Sequence, residues 1–288
     1  MRFAMYDIIL DTLKDGIRLL PFLLITYIIM EYMEHKMSAH TRHVVQASGR
    51  FGPLIGSIAG IFPQCGFSAA AASFYAGRVI SRGTLIAIFL STSDEMLPVL
   101  ISQKAPVNMI LSILGMKLVI GMIAGFLVDL VFSSGKKAPE PEMDIHHMCE
   151  HDHCHCEEGI LKSAVVHTAQ IFFFIILISF ILNLVIALIG EDSLSQIILN
   201  RPVIGAVISG IVGLIPNCAA SVIITQLYLD GAMSFGSMMA GLLVGAGVGL
   251  IVLYRSNDSV RENLRITGIL YGIGVAAGIA IDFLGITL

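Results

Sequence analysis

Three groups of residues carry side chains that could bind or move an ion. The first is a pair of short motifs, Phe62-Pro63-Gln64-Cys65-Gly66 and Ile215-Pro216-Asn217-Cys218-Ala219, each set in an apolar stretch. Proline removes a backbone donor and leaves a carbonyl without its helical partner, and a following Gly or Ala lets chains approach closely. Gln64 and Asn217 add amide oxygens and Cys65 and Cys218 add sulfur, with Ser68 and Ser221 one helical turn later. A single copy reads as a proline kink with a small buried cysteine as filler. Two copies with the same polar triplet point to a shared site.

The second group is Ser91-Thr92-Ser93-Asp94-Glu95, followed by Pro98, in the middle of an apolar span. Adjacent carboxylates at membrane depth are costly when charged and unpaired, and such residues mark ion or proton pathways. Lys117, also mid-span, offers a counter-charge for a metal-free state; a purely structural carboxylate–lysine pair is the plainer alternative. The third group is a polar tract from His146 to Glu158. It holds His146, His147, Cys149, His151, His153, Cys154, His155 and Cys156, interleaved with acidic residues. This density suits metal binding, but the spacing is too irregular for one tetrahedral site. It reads as a flexible collector or sensor of borderline and soft metals, with a solvated linker as the bland alternative. Oxygen ligands within the membrane suit a harder ion such as Mn.

Smaller signals complete the inventory. Glu31, Glu34 and His35 share a helix face, and His167 begins the corresponding later span. They could gather cations at a cytosolic mouth or simply solvate a helix end. Asp129 and Asp282 lie near span ends and read as interfacial caps or structural groups rather than ligands.

The elements that must position these groups are membrane spans. The chain has 288 residues, of which 56% are hydrophobic and 13% charged. A soluble domain carries about 25% charged residues, so too little polar surface exists to coat a water-facing globule. Apolar blocks long enough to cross a bilayer lie at 17–33, 83–101, 107–132, 164–189, 233–254 and 264–284. Two more, 53–77 and 202–229, are interrupted by Pro63 and Pro216. Asp7, Asp11 and Asp15 interrupt the place where a signal-peptide core would lie, so no cleavable leader is expected.

Slid by 153 residues, the distance from Pro63 to Pro216, the chain matches itself at roughly 22 of 79 positions between 54–132 and 207–285. The matches include Gly60 with Gly213, Cys65 with Cys218, Ser81 with Ser234, Gly83 with Gly236 and Asp129 with Asp282. Where the first copy carries Ser91 to Glu95, the second carries Gly245-Ala246-Gly247-Val248-Gly249. One half offers ligands and the other offers room. Repeats of this kind place transporter sites at their interface, near the midplane. If 53–77 and 202–229 are re-entrant hairpins, each half has three crossings and the second is inverted. Eleven Lys/Arg then lie inside and five outside, as the positive-inside rule asks, whereas full crossings give an even split.

The expected fold is therefore an all-α integral membrane protein of two inverted repeats, each with three spanning helices plus one Pro-broken, re-entrant hairpin. Residues 1–132 form the first repeat, 133–162 a cytosolic His/Cys-rich linker and 163–288 the second repeat. Both termini are expected outside.

Gly60-x-x-Pro63-x-Cys65-Gly66-Phe67-Ser68, the Ser91-to-Pro98 segment, Pro216-Asn217-Cys218 and the His-rich central tract together resemble a bacterial permease family. Its members are described as arsenic efflux proteins, ten-span heavy-metal exporters or manganese transporters. The resemblance runs over essentially the whole chain and implies efflux of a heavy metal or metalloid across the cytoplasmic membrane. Six spans become ten when each hairpin arm is counted separately.

No phosphate loop, dinucleotide fingerprint or nucleophile constellation is present, so no enzyme activity is expected. The leading expectation is a secondary-active exporter of a divalent cation, Mn or Zn, driven by a proton or ion gradient. Export of arsenite through Cys65 and Cys218 is the alternative, and a membrane metal sensor that transports nothing is a third. No cofactor and no nucleic-acid partner are expected; the metal is the substrate. Proton coupling and a homodimer fit this picture, in the inner membrane of a bacterium.

Overall fold

The computed structural model describes residues 51–61, 65–93, 96–133 and 202–287, together with isolated helical positions within 13–28 and 164–181. Among the described residues every regular element is helical. The first half supplies α1 (Gly52–Gly60), α2 (Cys65–Ala76), α3 (Arg82–Ser91), α4 (Met96–Ser102) and α5 (Val107–Ser133). The second supplies α6 (Pro202–Gly213), α7 (Cys218–Leu229), α8 (Phe235–Val244), α9 (Val248–Ser256) and α10 (Val260–Phe283). Each element of the first half has a counterpart about 153 residues later.

Among the described residues four stretches are long and apolar enough to cross a membrane: Arg82–Ser102, Val107–Phe132, Phe235–Ser256 and Val260–Phe283. The sequence suggests continuous spans at 83–101 and 233–254. Both are instead interrupted, α3 from α4 and α8 from α9. The physical causes differ. At the first break Ser91 Oγ donates to Ala87 O at 2.7 Å and Thr92 Oγ1 donates to Ile88 O at 2.7 Å. These hydroxyls compete with the backbone for carbonyls, and Pro98 in the first turn of α4 needs no helical acceptor. At the second break Gly247 has φ +53° and ψ −136°, a conformation only glycine adopts readily.

The interrupted rods form the centre and the long helices flank them. The Phe235–Ser256 rod is 94% buried, whereas Val107–Phe132 is only 28% buried and exposes Leu111, Ile123, Leu127 and Leu130. An apolar face of that extent suits acyl chains rather than water. Helices α1, α3 and α5 pack together, as do α6, α8 and α10. The helices that follow Pro63 and Pro216 pack across the halves: α2 on α9, and α7 on α4.

One lock appears in each half. Ser81 caps α3, accepting from Thr84 N at 3.1 Å, and donates to Asp129 Oδ2 at 2.6 Å; Gly83 N donates to Asp129 Oδ1 at 2.7 Å. In the second half Ser234 accepts from Ser237 N at 3.2 Å and donates to Asp282 Oδ2 at 2.7 Å, and Gly236 N donates to Asp282 Oδ1 at 2.8 Å. A carboxylate at a helix amino end satisfies free N–H groups and opposes the dipole. The cap expected of Asp129 and Asp282 is thus what the geometry shows. Glycine is required beside each: a Cβ on Gly83 would stand 2.1 Å from Gly125 O, and one on Gly236 would stand 2.2 Å from Gly278 O. Close backbone approach at small residues is how helices pack without a hydrophobic drive between them.

Candidate functional site: four helix breaks meeting at the centre

Among the described residues each half contains two interruptions, one just before α2 or α7 and one within the following apolar rod. The first pair is tied directly, because Ser93 Oγ donates to Ile61 O at 3.0 Å. Gly60, ending α1, is so close to the end of α3 that a Cβ there would stand 2.1 Å from Ser91 Oγ. In the second half a Cβ on Gly245 would stand 3.6 Å from Ser221 Oγ. The halves meet where a Cβ on Gly249, at the start of α9, would stand 2.8 Å from Ser68 Cβ and 2.9 Å from Phe89 Cε1. The segments flanking the four interruptions therefore lie close to one another.

The described polar side chains here are mostly buried. Ser68 and Ser91 are fully buried, Ser93 is 1% exposed and Asn217 is 8% exposed, while Ser221 is half-buried. Hydroxyls and amides at such depth persist only with partners, so this centre is a designed polar patch in an apolar interior. Lys117 belongs to it. Its side chain is 1% exposed and its Nζ donates to Leu242 O at 2.5 Å, across the two halves.

The remaining residues singled out from the sequence lie outside what is described. These are Gln64, Asp94 and Glu95, the side chains of Cys65 and Cys218, the tract His146, His147, Cys149, His151, His153, Cys154, His155 and Cys156, and Glu31, His35 and His167. Backbone placement still informs two of them: α2 begins at Cys65 and α7 begins at Cys218. Among the described residues, no group of three or more His, Cys, Asp or Glu is gathered to hold a metal.

Sequence reasoning missed a second polar cluster. Glu262, in the first turn of α10, accepts from the Tyr75 hydroxyl and pairs with Arg82 Nη2 at 2.8 Å and Arg78 Nη1 at 3.4 Å. Arg82 Nε also donates to Tyr75 Oη at 3.1 Å. The cluster joins the α2–α3 turn of the first half to the α9–α10 turn of the second. A separate amide contact, Gln103 Nε2 to Gln226 Oε1 at 3.2 Å, joins the end of α4 to α7. The only sequence signal was the conspicuous run of charges in 255–265 beside otherwise apolar spans.

Comparison with known proteins agrees with this architecture. No curated protein matches the chain, and no solved structure does. Residues 4–192 match the profile of the family described as "Putative, 10TM heavy-metal exporter". That match covers the first half, the central tract and the span that opens the second half. With more than half of its length matched, and four membrane-length apolar stretches among the described residues, the chain belongs to this heavy-metal exporter family.

Proposed function

We propose that the protein is a secondary-active exporter of a divalent heavy-metal cation, Mn or Zn, from the cytosol of a bacterium across its inner membrane. The observation that carries the proposal is the meeting of four helix interruptions, with Asp94 and Glu95 lying in the sequence between buried Ser93 and buried Met96. Interrupted helices offer unpaired carbonyls as well as side-chain oxygens, which is how many transporters bind ions at the midplane. Ser91 and Ser93, with Gln64 and Asn217, add neutral oxygens to the two carboxylates. Such a set suits a hard to borderline cation. Protons exchanging at the same carboxylates would provide the coupling. The His/Cys tract at 146–156 would gather metal on the cytosolic side.

The same reading takes the halves as inverted repeats with re-entrant hairpins. The pairing of Glu262 with Arg78 and Arg82 supports it, since it gathers 78–82 and 255–265 at one end. The Gln103–Gln226 contact gathers 103 and 226–230 at another. The rod Arg82–Ser102 would then run opposite to Phe235–Ser256. Reagents that label cysteine only from outside intact cells test this arrangement: Cys149, Cys154 and Cys156 should stay unlabelled, and labelling would overturn it.

A sulfur-based reading for arsenite has one observation in its favour. Cys65 and Cys218 each open a helix, the position at which a thiol most readily becomes a thiolate. Growth of a deletion strain on Mn, Zn, Co and arsenite separates the two. Asp94→Asn/Glu95→Gln should lose tolerance of the cations while Cys65→Ala/Cys218→Ala keeps it. The reverse pattern, on arsenite, assigns the substrate to sulfur.

A further inference from the structure

Helices α5 and α10, one from each half, leave a groove of about 480 Å³ between them. Its walls are apolar: Ile120, Ala124, Leu127 and Val128 line it from α5, and Ile273 and Ala277 from α10. It opens outward, since Ile123, Leu127 and Val131 along it are each more than half exposed. From Ile120 to Phe132 the groove follows α5 for about 18 Å, at 1.5 Å per residue. That is close to the depth of one leaflet's hydrocarbon, about 15 Å, half of a bilayer core.

One end of this groove is basic. Phe132 lines it there, and the Arg82 guanidinium lies 5.7 Å from the Phe132 ring. On α10, exposed Arg265 stands one helical turn before Ile269, which lines the groove, so the two share a face. Arg78 joins through Glu262, the carboxylate that it shares with Arg82. Three arginines thus surround one carboxylate, and a positive charge is left over. Glu262 engages Nε and Nη2 of Arg82 and Nη1 of Arg78, and each guanidinium has further N–H donors. Among the described residues Arg265 has no ion-pair partner. The places that match Arg78, Arg82 and Arg265 at the repeat offset hold Gly231, Phe235 and Ser112, none of them charged. Positive charge at one end of an apolar slot is complementary to a molecule with an acyl chain and an anionic head.

We propose that this groove is a binding site for an anionic phospholipid, with an acyl chain lying between α5 and α10 and the phosphate on Arg82 and Arg265. Basic pockets between membrane helices recognise anionic headgroups, and the guanidinium fork matches phosphate oxygens. Bound there, the lipid ties α5 of one half to α10 of the other. The inference needs only that the chain spans a membrane; it does not depend on what the protein transports.

The test is native mass spectrometry of the detergent-purified, full-length protein, titrated with phosphatidylglycerol and with phosphatidylcholine of the same acyl chains. Wild type should bind phosphatidylglycerol about tenfold more tightly. Arg265→Gln, at an exposed residue, should weaken phosphatidylglycerol binding about fivefold and leave phosphatidylcholine unchanged, as expected for one arginine near an anionic headgroup. Ala276→Phe, which fills the groove from an exposed position, should weaken both lipids and keep the preference between them. Inorganic phosphate should not compete, because the acyl chain supplies much of the affinity. Equal binding of the two lipids by wild type overturns the proposal, and so does an Arg265→Gln protein that keeps the full preference. Undiminished binding to Ala276→Phe would take the acyl chain out of the groove, and competition by inorganic phosphate would make the site one for a free anion; either result overturns it. A lipid-free dimer that Ala276→Phe dissociates would give the groove to a second copy of the chain and overturn it as well.

Discussion

The interruption between α3 and α4 and the one between α8 and α9 occupy matching places in the two halves, yet they are made of opposite materials. The first is built from Ser91, Thr92 and Ser93, whose hydroxyls turn back onto Ala87 O, Ile88 O and Ile61 O, and continues into Asp94 and Glu95. The second is built from Gly245, Ala246 and Gly247, with a positive φ at Gly247 and the Lys117 ammonium on Leu242 O. Around these centres the halves are alike: the Ser81–Asp129 and Ser234–Asp282 locks match bond for bond. The framework is thus duplicated while the centres diverge, and under the proposed function that asymmetry would give an ion ligands from one side and space from the other.

That contrast can be broken most severely at the first centre. Replacing its carboxylates with their counterparts, Asp94→Gly/Glu95→Val, should slow metal uptake by proteoliposomes by about a hundredfold or more, the range seen when metal coordination is disturbed. The framework should respond equally in both halves. Gly83→Ala and Gly236→Ala each force a Cβ into a carbonyl oxygen at 2.1 and 2.2 Å, and each should cost about 1–3 kcal/mol in chemical unfolding. Gly247→Ala should cost a similar amount through backbone strain alone, whereas Thr92→Ala, at a residue of ordinary φ, should cost less. Asp129→Asn and Asp282→Asn remove a charged cap and should lose about 1 kcal/mol each, matched within error. A large difference between the two would separate the halves at the level of the scaffold as well. The smallest effect is expected at Glu262→Gln. Its arginine partners are more than a third exposed, so the loss should stay below about 1 kcal/mol and shrink with added salt.

Much of this contrast was legible in the sequence. The repeat offset, the contrast between a polar run at Ser91–Glu95 and glycines at the matching place of the second half, and the cap role of Asp129 and Asp282 all followed from matched residue types. Pro63 and Pro216 located the first interruption of each half, with α2 and α7 beginning just beyond them. The second interruptions were harder to see. Hydropathy stays high through 83–101 and 233–254, because hydroxyls that bond to their own helix and glycines that carry no side chain leave an apolar profile intact. The Gly245–Gly247 stretch read as room for a ligand, and its backbone reversal at Gly247 was not visible in residue types. Lys117 was recognised as a mid-span charge, but its bond to the Leu242 carbonyl of the other half could not be foreseen, because carbonyls have no sequence signature. The Glu262 cluster was missed for a related reason: charges were weighed for topology, and a pairing across some 180 residues leaves no local pattern.

The central claim is that the transported cation is held at the α3–α4 interruption and not by sulfur. Uptake of manganese and zinc into proteoliposomes under an imposed pH gradient tests it most directly, using wild type, Asp94→Asn/Glu95→Gln and Cys65→Ala/Cys218→Ala. The account predicts gradient-driven uptake by wild type and by the cysteine variant, and none by the carboxylate variant. Uptake by the carboxylate variant at the wild-type rate would contradict it.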